Sequence, residues 1–231
     1  FMHACGLDFG TTNSTFSYPK QGSIELVNLE GQQQTLPSAV FYNFDDGDIY
    51  YGRAALNEYA DGEFGRLMRS LKSVLGTKLM DDTTQIKGKS VSFVEIIAGF
   101  LTEMKNRAEK QSGLSFEQVV MGRPVYFVDD NKTADQKAQN ALESAAKMAG
   151  FKDIEFQYEP IAAALDYEQS VTGEELAIIV DLGGGTSDFS VVRVSQTGAQ
   201  KVDRKDDILS TGGVHIGGVD FDRRLSLKSV M

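Results

Sequence analysis

The chain has 231 residues, 41% of them hydrophobic, which is enough to bury a core in one large or two smaller domains. Its 23 Lys and Arg against 33 Asp and Glu leave a formal net charge of -10. That balance argues against nucleic acid or an anionic membrane as partner, because both demand clustered positive charge. The single cysteine, Cys5, excludes an intrachain disulfide, no stretch has the form of a signal peptide or a membrane span, and the cytosol is the expected compartment. Both ends read as cut: Phe1 precedes Met2, which reads as an initiator, and the last residues place Phe221, Leu225 and Val230 on an apparent helix without a stop signal.

In chain order, residues 3–10, 14–19, 24–30 and 36–43 read as an antiparallel run of strands with Gly, Pro and Asn at the turns. Apolar residues at three- and four-residue spacing predict helices over 62–76 and 91–113, each ending on glycine. A strand at 116–125, a helix at 132–150, a strand at 153–159, a helix at 159–170 and a buried strand at 175–183 follow. Alternation of this kind implies parallel crossovers and an α/β sheet covered on both faces. No low-complexity linker interrupts it, so Asp8 and Asp181 are expected in one sheet.

Two segments say nearly the same thing. "LDFGTTNSTFSY" (7–18) and "VDLGGGTSDFSV" (180–191), counted from Asp8 and Asp181, share Gly two residues on (Gly10, Gly183), Phe eight on (Phe16, Phe189) and Ser nine on (Ser17, Ser190). Each reads as a strand ending in a carboxylate, a tight turn of Gly and Thr, and a returning strand. Glycines at 10, 183, 184 and 185 let successive backbone amides approach phosphate oxygens, and Thr11, Thr12 and Thr186 add hydroxyl donors. A carboxylate beside a polyphosphate needs a divalent cation between them, so Asp8 and Asp181 imply Mg2+ held mainly through its own waters and the phosphates. Either hairpin alone would be ordinary turn chemistry. Together, with matching offsets, they read as two jaws on one nucleotide.

Other signals weigh less. "GKS" at 88–90 lacks the earlier glycine of a phosphate loop, its place being held by Thr83, and reads as a polar loop. No Gly-x-Gly-x-x-Gly follows a strand, so a dinucleotide fold is unsupported. Cys5 alternates with Leu7 into a core position, His3 and His215 have no partners at metal-site spacing, and Phe93, Ile96, Ile97, Phe100, Leu101 and Met104 form one apolar helix face better suited to a core than to a partner.

"GLDFGTTNS", "SLKSVLG", "GRPVYF", "EPIAAALDYE", "VDLGGGTSDFS" and "HIGGVDFD", in that order, resemble the ATPase domain of the seventy-kilodalton heat-shock (DnaK-type) chaperones, within the actin-like ATPase superfamily. The resemblance spans essentially the whole chain, and its wording is similar to a divergent bacterial branch of the YegD type. It implies an α/β, ribonuclease H-like fold, a mixed sheet flanked by helices. Lobe I would occupy residues 1–178 and a truncated lobe II residues 179–231. It further implies ATP or ADP with Mg2+ and a monovalent cation such as K+, slow ATP hydrolysis, and unfolded polypeptides or co-chaperones as partners.

Roles carry over where the letters agree. Asp8 would serve the metal, and Gly10, Thr11, Thr12 and Asn13 the phosphates. Lys72 would orient the attacking water, Glu159 would support the metal's waters, and Asp181 would position water or metal. Gly183, Gly184, Gly185 and Thr186 would contact phosphate, Thr186 also sharing in catalysis, and Asp188 would help hold the monovalent ion. Pro124 matches a proline tied to switching between nucleotide states. Without the resemblance, Lys72 would be a solvated helical lysine and Glu159 a favourable charge at a helix start. Two departures stand out: Gln139 occupies the place of an interdomain arginine, and a later Gly-Gly-rich adenine motif is absent, so the chain alone is expected to bind ATP weakly. A filament-forming bacterial actin relative and, more faintly, a sugar kinase are the alternatives. Lys72 and the residue between Gly218 and Asp220 favour the chaperone side.

Overall fold

A computed structural model describes residues 3–201, 203–214 and 216–229. The expectations attached to Phe1, Met2, His215 and Val230 fall outside these residues. The chain divides into two compact units, one comprising Phe1–Met121 with Tyr126–Phe156, the other Gly122–Val125 with Gln157–Met231.

The first unit is built on alternation. In β1 (His3–Phe9) Cys5, Leu7 and Phe9 are buried while Ala4 and Asp8 are exposed, the period of two that a half-buried strand requires. β2 (Asn13–Lys20) returns antiparallel to it, with β3 (Ser23–Leu26) and β4 (Thr35–Pro37) paired to β2. Ser38 ends the fourth strand, so the expected strand over 36–43 is split. Its second half, β5 (Ala39–Asn43), joins β6 (Ile49–Tyr51) in a different sheet. Helix α1 (Arg53–Ala60) follows.

The helix expected over 62–76 does not form. Residues Gly65–Arg69 are a strand, β7, antiparallel to β5, and Leu71–Val74 is a single 3-10 turn that carries Lys72. Ser70, between them, has a φ of 57°, and a Cβ on Gly65 would sit 2.3 Å from the Tyr42 carbonyl oxygen. The chain is therefore drawn against β5 more closely than a helical side chain allows. Buried Leu71 and Leu75 anchor the turn, and Lys72 is half-buried.

β8 (Thr83–Ile86) and β9 (Lys89–Ser92) form a hairpin, whose turn and second strand take up the "GKS" residues. Helix α2 (Phe93–Ser112) starts at a capping box. Ser92 Oγ accepts from the Glu95 amide, and the Glu95 carboxylate accepts from the Ser92 amide at 2.7 Å. Its apolar stripe is buried: Ile96, Ile97, Phe100, Leu101 and Met104 are in the core and Phe93 packs partly against it. β10 (Phe116–Arg123) runs parallel to β1, α3 (Lys132–Met148) packs on α2, and β11 (Asp153–Tyr158) completes a six-stranded mixed sheet ordered β11-β10-β1-β2-β3 with β4 beside β2.

In the second unit, α4 (Glu159–Glu168) begins with proline at its start. β12 (Glu175–Leu182), β13 (Ser187–Val194) and β14 (Ile208–Val214) form an antiparallel sheet, and α5 (Gly218–Ser229) supplies the terminal helix expected from the sequence. Asp8 and Asp181 therefore lie in separate sheets, not one. The repeated motif fixes the local hairpin, whereas sheet membership depends on which distant strands pair. β12 is not the buried strand expected from its apolar run. Leu176, Ile178, Val180 and Leu182 are between 52% and 71% exposed, while Ala177 and Ile179 pack towards α4.

Candidate functional site

The first turn is made rigid from within the fold. β1 and β2 pair from Gly6–Ser17 to Phe9–Ser14, placing Asp8 opposite Thr15 at the end of the ladder, exposed, with Gly10, Thr11 and Thr12 forming the connection to Asn13. Gly10 is obligatory: a Cβ there would lie 2.2 Å from the Asn13 carbonyl oxygen. Ser38 holds the turn from outside the motif. Its hydroxyl donates to the Gly10 carbonyl at 2.7 Å, its amide to the Thr12 carbonyl at 2.8 Å, and its Oγ lies 2.9 Å from that of Ser14. Both serines are buried. With its carbonyls engaged from one side, the turn has its backbone shape set before any ligand arrives, which is the preorganisation an anion site needs.

The second turn repeats the plan with different supports. β12 and β13 pair from Glu175–Val194 to Leu182–Ser187, and the Gly183 amide closes the turn on the Thr186 carbonyl at 2.9 Å. Thr186 Oγ1 donates to Asp188 Oδ2 at 2.6 Å. The start of α5 is laid against the glycines: the Gly218 amide donates to the Gly183 carbonyl and the Val219 amide to the Gly184 carbonyl, both at 3.0 Å. A Cβ on Gly217 would come within 2.5 Å of the Gly184 backbone. Ser187 Oγ donates to the Ile216 carbonyl at 2.7 Å, tying the strand to the same segment. The three-glycine run thus permits backbone-to-backbone packing as well as ligand approach.

Within the first unit, Asp8, Gly10, Thr11, Thr12 and Asn13 come together in one turn, while Lys72 rides on the 3-10 turn after β7. Within the second, Asp181, Gly183, Gly184, Gly185, Thr186 and Asp188 share one turn, Glu159 opens α4, and Pro124 follows β10. Among the described residues no three His, Cys, Asp or Glu side chains cluster as a metal cage. The donor set is an exposed carboxylate at the end of a strand beside each turn, which fits a cation that keeps most of its waters and takes few protein oxygens. Ser38, Ser14 and the 216–219 segment are the supports that motif reading missed. The Gly-Gly of "HIGGVDFD" was their one visible trace.

Cys5 is buried within β1, and burial pushes its thiol up to about 12, which disfavours the reactive thiolate near neutral pH. Among the described residues no helix is long and apolar enough to cross a membrane.

Comparison with known proteins agrees with the geometry. The family model described as Hsp70 protein matches residues 4–228. The chaperone protein DnaK of Thermotoga petrophila is 34% identical over 223 residues, 95% of this chain and 34% of its own length. The DnaK of Thermosipho melanesiensis is 34% identical over 226 residues, 96% of this chain and 35% of its own. That of Mycoplasmopsis agalactiae is 33% identical over 223 residues, with 95% and 34% covered. The chain thus spans about a third of the length of the curated relatives it matches. Two independently supported glycine turns, each beside an exposed aspartate, set in a mixed α/β framework of the actin-like ATPase class and matched almost end to end, place the chain in the Hsp70 protein family.

Proposed function

We propose that this chain supplies the phosphate-binding turns of a slow, Mg2+-dependent chaperone ATPase of the cytoplasm. The observation that carries the reading is the pair of preorganised Asp-x-Gly turns, at Asp8 and at Asp181, built to one plan on two hairpins. In this reading both turns serve one ATP. Gly10, Thr11, Thr12 and Asn13 bind phosphate from the first hairpin, and Gly183, Gly184, Gly185 and Thr186 from the second, through backbone N–H groups and hydroxyls. Asp8 and Asp181 are the residues that would hold Mg2+. When bound, the ion offsets the charge of the β- and γ-phosphates and orients them.

Lys72 and Glu159 complete the set. Lys72 stabilises negative charge at the γ-phosphate and orients a water, whose oxygen bonds to the γ-phosphorus as the bond to the β–γ bridging oxygen breaks, leaving ADP and inorganic phosphate. Glu159 would order waters around a bound metal, and Asp188 would help hold a monovalent cation. Nucleotide state would be read as the separation of the two turns, coupling ATP to closure of lobe I (1–178) and the first part of lobe II (179–231), and Pro124 would take part in that switch. The presence of Lys72 together with DnaK relatives at a third identity favours this over a filament or a sugar kinase. Unfolded polypeptides and co-chaperones are the partners this reading assigns.

The test is steady-state and single-turnover MgATP hydrolysis by the full-length protein beside Lys72→Ala, with and without an unfolded polypeptide. Slow turnover that falls at least about a hundredfold in the variant is expected, with acceleration by the polypeptide. Absence of ATP binding and hydrolysis in the unaltered protein would sink the proposal.

A further inference from the structure

The buried stripe of α4 ends in a charge. Ile161, Ala164 and Glu168 follow one another at helical spacing, and all three have no exposed surface. Ile161 and Ala164 rest on Val192 and Val194 of β13, a small apolar contact. At the next position, where the pattern calls for another apolar residue, the Glu168 carboxylate meets Arg204 in a bidentate pair, Nη2 to Oε1 at 2.6 Å and Nη1 to Oε2 at 3.0 Å. Arg204 Nε also donates to Asp207 Oδ2 at 2.6 Å, and its Nη2 to the Arg193 carbonyl at 3.3 Å. Glu168 Oε1 further accepts from the Ser195 amide at 3.2 Å. Three ionised side chains, at most 5% exposed, are thus locked to one another and to the end of β13.

A buried ion group is a poor source of stability, because desolvation costs about as much as the pairing returns, but it imposes direction and register that apolar contact lacks. Apolar packing of a helix through alanine and isoleucine resists rotation and sliding weakly, since each shifted position buries similar area. The bidentate fork admits one arrangement. α4 and β13 are therefore pinned at their carboxyl ends, and their amino ends carry Glu159 and, just after the glycine turn, Asp188.

We infer that Arg204 is a positioning residue: through Glu168 and Asp207 it fixes the register of α4 on the β12-β13-β14 sheet, and so the place of Glu159 relative to the Asp181 turn. The inference rests on the ATPase role proposed above for Glu159. The charge states suit it. The Glu168 carboxylate holds the Arg204 guanidinium above its ordinary range, and for Asp207 burial pushes upward but the bonds from Arg204 and Lys201 outweigh it and hold the carboxyl low. Lys201, 3.4 Å from Asp207 Oδ1 and half-exposed, balances the second carboxylate.

The experiment uses the full-length protein and three variants: the apolar triple Glu168→Leu/Arg204→Met/Asp207→Leu, the conservative Arg204→Lys, and Glu159→Ala. Melting temperature, kcat, KM for ATP and the Mg2+ concentration for half-maximal rate are measured for each. Replacement of a buried ion group by apolar residues of similar size commonly keeps stability, so the triple variant should melt near the unaltered protein. Its kcat should nonetheless fall about ten- to a hundredfold, with a raised Mg2+ requirement and a KM within about threefold of normal. Arg204→Lys, which keeps the charge and loses the fork, should shift kcat and Mg2+ requirement the same way by less, and it carries the test if the triple variant does not fold. Unaltered kcat and Mg2+ dependence in a folded triple variant or in Arg204→Lys, while Glu159→Ala is impaired, would reduce the ion group to packing and overturn the inference alone. A Glu159→Ala enzyme equal to the unaltered one would instead remove the role assigned to Glu159, and the positioning role with it.

Discussion

Asp181 and Asp188 stand directly opposite each other across the β12–β13 ladder, and Asp188 is the one held in place, its Oδ2 accepting the Thr186 hydroxyl at 2.6 Å while its Oδ1 occupies the space a Cβ on Gly213 would need, 2.3 Å away. Like charges at facing positions oppose pairing. A hydrogen bond from Thr186 offsets this for one carboxylate and leaves the other exposed and unencumbered by it. Gly213→Ala should push the Asp188 side chain aside and break that bond, costing about 1–2 kcal/mol in denaturant unfolding. Thr186→Val should cost a similar amount, and the double variant less than the sum. Full additivity would show that Gly213 does not act through Asp188.

Ser38→Ala should destabilise the first unit by about 2 kcal/mol, because it strands the buried Ser14 hydroxyl and leaves the Gly10 carbonyl without its donor. Ser14→Ala in the Ser38→Ala background should recover part of the loss by removing the orphaned group. Chemical denaturation of the four proteins measures this coupling, and a zero interaction energy would contradict it.

Cys5 should resist alkylation. With burial holding its thiol near 12, the thiolate is scarce at pH 8 and the sulfur is covered. Labelling with iodoacetamide, followed by mass spectrometry, should therefore track global unfolding across a denaturant series. Stoichiometric labelling of the native chain within minutes would be the contrary result.

The capping box at the start of α2 should weaken in acid. Hydrogen bonds from the Ser92 hydroxyl and amide hold the Glu95 carboxyl below its ordinary 4.5. A depressed carboxyl contributes stability that is present above its unfolded value and is lost as pH falls through the folded one. Amide exchange in the first turn of α2 should thus accelerate as pH drops below 4.5, after correction for intrinsic rates, and Glu95→Ala should flatten that dependence. Equal slopes in the two proteins would refute it.

Local chemistry was legible in the sequence wherever the interacting residues are near neighbours. Gly113 marks the end of α2 and the aspartate hairpins declare their turns, although the Ser92–Glu95 cap that starts the helix two residues after the expected Val91 was not read. Leu67, Met68, Leu71 and Leu75 fall at spacings that suit a helix, yet β5 claims the first two and Ser70 turns the chain before the others. Nothing within residues 62–76 reveals β5 as a partner. Ser38 lies 28 positions from Gly10, and Arg204 lies 36 from Glu168, so neither support has a local signature. The two turns were readable because backbone conformation demands particular residues. Their buttresses were not, since a serine or an arginine suits many surroundings.

The open side of β12 bears on how this chain can be handled. Leu176, Ile178, Val180 and Leu182 alternate along the end strand of a three-stranded sheet, so greasy side chains and a row of backbone groups lie along one margin. Sheet margins of this kind promote self-association. Monomer should therefore be lost as the concentration of the chain rises, which light scattering would follow. A single lysine in place of Ile178, which is 71% exposed, should suppress that association at little cost to the fold.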